Sequence, residues 1–203
     1  MGIGVKRRLT SLMLWATFLP AADFWVETPF YRWNDQQVGQ MLTDSPWACK
    51  AEVYVMGKDT GAGLIVRWQT AVPIRQAVAR FHYGDESGTS EKIAQQLSRE
   101  EPYYIVGILG LPLALAGPKP EELKSWVSLK AGSRPPLRPA DILTDKLMSQ
   151  ALNVFFFFPK LQPGARVITL DDETVEFALQ SPLVEIRRTF LLRDLVYAGK
   201  LEL

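Results

Sequence analysis

Four consecutive phenylalanines, Phe155-Phe156-Phe157-Phe158, constrain the fold of this 203-residue chain more than any other feature. As a strand the run has no polar face, so both of its sides need cover, and the expected cover is a layer of helices from the same chain. An uncovered outer face would invite pairing with another chain. A second continuous apolar run, Tyr103 to Leu111, is bounded by Pro102 and Pro112 and also reads as a strand buried on both faces.

Around these two runs the chain punctuates itself. Asn34 followed by Gln37 has the form of a capping box and predicts a short helix to about Leu42, ended by the turn Thr43-Asp44-Ser45-Pro46. The β-prone stretches Trp47–Met56 and Leu64–Thr70 flank the glycine-rich 57–63 and predict a hairpin. Pro73 opens a helix to about His82 with Ile74, Ala77, Val78 and Phe81 inward, and a second helix is expected over Thr89–Glu100 with Ile93 and Leu97 inward. Pro120-Glu121-Glu122 opens a third, closed by Gly132. The proline-rich 133–139 must cross the surface as extended chain. A meander of strands follows at Val154–Phe158, Val167–Leu170, Val175–Leu179, Val184–Leu192 and Val196–Leu203. This order, hairpin, then helices interleaved with a strand, then meander, predicts an α+β fold: a mostly antiparallel mixed β-sheet with three or four helices packed on it.

The first 22 residues read as a signal peptide, with Lys6-Arg7-Arg8, the apolar stretch Leu9–Leu19 and then Pro20-Ala21-Ala22. Residues 23–203 are expected to form one domain. The apolar stretch is short for a bilayer span, so export to the periplasm or medium is the main expectation, and an uncleaved N-terminal membrane anchor is the alternative. Three of the 23 Lys and Arg precede residue 22 and all 22 Asp and Glu follow it, leaving a net charge of −2 on residues 23–203. That balance argues against a nucleic-acid partner. The terminal Lys200-Leu201-Glu202-Leu203 has the form of a retrieval tail but reads more simply as the end of the last strand.

One histidine and one cysteine remove most catalytic constellations. A multi-His or multi-Cys zinc site and an internal disulfide are out of reach, and no glycine pattern around any Ser resembles a nucleophile elbow. No catalytic residue, metal site or cofactor is expected, and a non-enzymatic role is the main expectation. His82 sits where it would bond the last carbonyls of its helix. Carboxylates are the remaining route, with Asp44, Asp85, Glu86 and the turn Asp171-Asp172-Glu173 as candidates for a hydrolase acting on cell-wall or carbohydrate material. Aromatic residues near the mature N-terminus give the candidate binding set Trp25, Tyr31, Trp33 and Trp47, rings that either stack on a protein or glycan ligand or plug the lead-in onto the core.

The signal segment, Leu42-Thr43-Asp44-Ser45-Pro46-Trp47-Ala48, Pro73-Ile74-Arg75-Gln76-Ala77, the phenylalanine run ending in Pro159 and the closing Gly199-Lys200-Leu201-Glu202-Leu203 together resemble a group of exported bacterial proteins of unassigned function. The resemblance implies export and brings no activity or catalytic residue with it. The functional expectation is a non-catalytic binding or envelope-associated module, with the carboxylate hydrolase as the alternative. A third reading is an anchored subunit of an envelope assembly that pairs through the phenylalanine strand.

Overall fold

Strands whose residues alternate between core and surface dominate the architecture. The computed structural model describes residues 23–203 except 60–62, 117–118, 148–149 and 163–164. In chain order the elements are α1 (Phe24–Glu27), a 3-10 turn (Phe30–Arg32), α2 (Asp35–Thr43), β1 (Ala48–Lys50), β2 (Glu52–Val55), β3 (Lys58–Asp59), β4 (Ile65–Trp68) and α3 (Val72–Tyr83). A 3-10 turn (Gly84–Gly88), α4 (Glu91–Ser98), β5 (Tyr103–Pro112), α5 (Leu113–Ala116), α6 (Pro120–Trp126), β6 (Val127–Ala131), β7 (Asp141–Leu147) and β8 (Ala151–Pro159) follow. The chain ends with β9 (Leu161–Gln162), β10 (Ala165–Arg166), a 3-10 turn (Leu170–Asp172), β11 (Thr174–Gln180), β12 (Val184–Leu191), a 3-10 turn (Leu192–Leu195), β13 (Val196–Tyr197) and β14 (Lys200–Leu201). The fold is α+β with antiparallel sheets.

Among the described residues the strands form two five-stranded antiparallel sheets, β1-β4-β5-β8-β7 and β3-β2-β12-β11-β6. Register decides which side chains meet. In the first sheet Trp68, Val106 and Phe156 stand opposite one another, and in the second Leu129, Phe177 and Arg188 do. The two inward rows pack together: Phe156 and Phe177 have ring centroids 5.8 Å apart, and Trp68 meets Phe190 at 5.6 Å. Single-residue alternation therefore splits the phenylalanine run, with Phe156 and Phe158 fully buried and Phe155 and Phe157 half-buried on the outer side.

That split corrects two expectations. Neither β5 nor β8 is buried on both faces: Phe155, Phe157 and Ile105 are only partly covered, and Leu143 on the neighbouring β7 is 56% exposed. Helix α2 packs against β1 and β4. A continuous apolar run here marks a strand with one face in the core and one half-covered face.

The expected hairpin over 47–70 is divided between the sheets. Lys50 pairs with Ile65 in the first sheet, and beyond Ala51 the chain crosses to the second, where Tyr54 pairs with Asp59 and Arg187 with Glu52. Met56 and Gly57, both with positive φ, make the tight β2–β3 turn that a two-residue hairpin requires. The helix expected from Pro120 to Gly132 stops at Trp126, because Val127, Leu129 and Ala131 point inward alternately and pair with β11. The strand expected at Val167–Leu170 is instead a loop leading into a 3-10 turn, and Val196–Leu203 is a small β13–β14 hairpin turned at Ala198-Gly199. Strand β7 lies where the sequence predicts no strand. Phe81, expected inward on α3, is 69% exposed.

The inward row carries a stability prediction. Phe156→Ala should cost about 3–5 kcal/mol in urea unfolding, and Phe157→Ala distinctly less. Equal losses would contradict the division of the run between core and surface.

Candidate functional site: a cleft at the end of the sandwich

The four aromatic candidates do not form one open surface. Trp33 and Trp47 are completely buried and Trp25 nearly so. Phe24 meets Trp25 at 4.9 Å and Trp33 at 5.3 Å, Trp25 meets Trp47 at 6.0 Å, and Trp47 meets Tyr197 at 6.2 Å, all edge to face. Their polar ends are used internally: the Trp33 indole donates to Thr28 O at 2.8 Å and that of Trp47 to Glu202 O at 2.9 Å. These rings fasten the lead-in and the last residues onto the core, with no open face in Trp33 or Trp47 for a ligand. Tyr31 lies apart, its ring packed on Gly88, where an added Cβ would stand 2.4 Å from the ring.

The acids also separate. Asp85 pairs with Arg80 at 2.5 Å on the surface, and His82 is exposed on the last turn of α3. Asp172 accepts from the Thr169 N–H at 2.8 Å and from Arg134 at 2.6 Å, closing the 3-10 turn against Gly132. Gly132 has φ +49, and a Cβ there would stand 3.0 Å from Asp172 O, so both backbone angle and space demand glycine. Among the described residues no group of three His, Cys, Asp or Glu could hold a metal ion.

A cleft of about 670 Å3 opens where β5 begins and β8 ends. Tyr104, Ile168 and Leu203, all nearly buried, form the apolar floor, with Val72, Leu97 and Leu201 around them. Three charged residues of the wall are engaged in the chain's own structure. Arg75 donates to Arg99 O at 2.9 Å and to Gln96 O, capping the end of α4. Lys160 donates to Leu203 O at 3.1 Å and stands 5.2 Å over the Tyr104 ring. A Glu202 carboxylate oxygen accepts from the Val72 N–H at 3.4 Å, in the first turn of α3. Thr70 is likewise fixed, its hydroxyl accepting from the Ile105 N–H at 3.2 Å. Arg99, Glu100, Glu101, Asp171 and Lys200 lie around the opening. Of the acids singled out in the sequence, only Asp171 reaches the cleft. The lining comes from α3, α4, β5, the end of β8, the 168–171 loop and the last four residues, so no local motif announces it.

Burial acts on two other polar groups. Burial pushes the Arg67 guanidinium down to about 10, and it donates to Leu42 O at 3.4 Å and Gln69 Oε1 at 3.2 Å with no carboxylate partner among the described residues. Burial also pushes the Cys49 thiol up, against the opposing pull of the Arg188 guanidinium.

Asp172 generates a pH prediction. Burial would raise its pKa, but the bonds from Thr169 N–H and Arg134 outweigh it and hold the carboxyl below the usual range. With a lowered folded pKa, the stabilisation is present above the ordinary carboxylate value of about 3.9 and is lost as pH falls through the folded value. Asp172→Asn should cost about 1–2 kcal/mol at pH 7, and the difference from wild type should shrink as urea unfolding is repeated between pH 5 and pH 2. A difference independent of pH would show that the charge is not what holds the turn. Compared with known proteins, the chain matches no protein-family model, no curated protein and no solved structure.

Proposed function

We propose that this protein is an exported, non-catalytic binding module that holds a protein or glycan ligand of the bacterial envelope in the end cleft. One observation carries the reading: Arg75, Lys160, Glu202 and Thr70 are each bonded to the chain's own backbone. Groups fixed this way hold the cleft in one shape, which favours binding without a reorganisation cost. The volume lies within the usual range for ligand sites, and an apolar floor ringed by charges of both signs suits a ligand with an apolar body and polar edges.

Export rests on the N-terminal Lys6-Arg7-Arg8, the apolar Leu9–Leu19 and the resemblance to exported bacterial proteins; residues 1–22 lie outside the described residues. Among the described residues no helix is long and apolar enough to cross a membrane. The hydrolase reading has one observation in its favour, that Asp171 and Glu202 line the same cleft. Against it, the Glu202 carboxylate is engaged with the α3 amide, whereas a general acid or base must reach the substrate proton.

Immobilised protein should retain fragments from a digested bacterial envelope, and Ser98→Trp, which places a large ring at the mouth of the cleft, should weaken retention at least tenfold. Equal retention by both proteins would move the ligand out of the cleft. Release of new fragments that stops with Asp171→Asn would replace the binding module with the hydrolase. Intact mass of the native protein should begin near Ala22 or Asp23 in a soluble exported fraction; a full-length mass in the membrane fraction would establish the anchored form instead.

A further inference from the structure

A second cavity, of about 500 Å3, lies between α1 and the exposed half of β12. Strand β2 pairs with β12 only as far as Arg187, and among the described residues no strand pairs with β12 on this side beyond that point. Val184, Ile186 and Phe190 are inward residues of β12, and Arg188 occupies the same row, opposite the buried Phe177. A cation at an inward position of a sandwich is out of place unless something answers its charge. Its guanidinium stands 5.7 Å over the Phe190 ring, and Nη1 donates to Lys50 O at 3.5 Å. Its Nε is buried without an acceptor, the Cys49 thiol lies beside the guanidinium, and among the described residues no carboxylate pairs with it. The neighbouring Arg193 is already answered by Asp194 at 3.5 Å. Trp25, Val26, Pro46, Phe190 and Val196 supply apolar wall.

We propose that this cavity binds a small carboxylic acid with an apolar body, its carboxylate on the Arg188 guanidinium and its body against Trp25 and Phe190. A guanidinium held over a ring presents its free Nη hydrogens in a fixed direction, where they can meet a carboxylate in charge-assisted hydrogen bonds. The carboxylate supplies the missing counter-charge, and the rings supply the contact area that a small anion alone would not use. The site is separate from the end cleft and does not depend on it.

Cys49 lines the cavity and is the chain's one cysteine, so its alkylation reports occupancy without ambiguity. Labelling of the full-length protein by N-ethylmaleimide, followed by intact mass, should slow about tenfold in saturating benzoate. Benzamide, with the same ring and no charge, should give no protection, and Arg188→Met should abolish the benzoate effect. Unchanged labelling in benzoate, equal protection by benzamide, or protection that survives in Arg188→Met would each overturn the proposal. The benzoate–benzamide comparison on the wild-type protein decides the matter even where the variant does not fold.

Discussion

The inward-facing residues, Val106, Phe156 and Trp68 on one sheet and Leu129, Phe177 and Phe190 on the other, set the position of everything else in the chain. Both sheets are antiparallel and each strand contributes every second residue to the shared core, so a one-residue slip would exchange buried and exposed side chains along a whole strand. That register turns Phe155 and Phe157 outward and Phe156 and Phe158 inward. It also fixes where the strands begin and end, and the end cleft is built from the residues that lead into β5 and those that continue past β8 and β14.

The tryptophans of the lead-in serve the same core from outside the sheets. Edge-to-face contacts run from Phe24 through Trp25 and Trp47 to Tyr197, and the Trp47 indole bonds to Glu202 O. The first and last described segments are thus tied together, and Glu202 in turn supports the first turn of α3. One wall of the cleft depends on aromatic packing on the far side of these residues. A substitution at Trp47 is therefore expected to act on the cleft through position and not through contact.

Much of the fold was legible where local chemistry decides the structure. The Asn34–Gln37 capping box, the helix opened by Pro73, Ser133–Pro139 as extended chain, and β8, β11 and β12 follow from caps, prolines and alternation that tertiary packing leaves in place. What escaped depends on distant partners. Val127–Ala131 carries a helical spacing as well as an alternating one, and only pairing with β11 selects the strand. The crossover at Ala51 has no glycine or proline to mark it, and β7, with Asp141, Thr144, Asp145 and Lys146, has the polarity of an edge strand and so lacks an apolar signature. For the sites, the aromatic residues were visible as either a ligand platform or a plug, and packing selects the plug for Trp25, Trp33 and Trp47, while only register places Arg188 in the inward row of β12. Lys160, Thr70 and Glu202 carry no signal in sequence, because six separate segments bring the cleft together.

Backbone amide hydrogen exchange, measured with and without a digest of bacterial envelope, tests the account at its centre. Binding in the end cleft predicts added protection confined to residues 97–101, 168–171 and 200–203, with the strands of the sandwich unchanged. Protection centred on β7 and the outer face of β8 would contradict it, because the ligand would then sit on the half-covered side of the phenylalanine strand and the end cleft would be a feature of the fold alone.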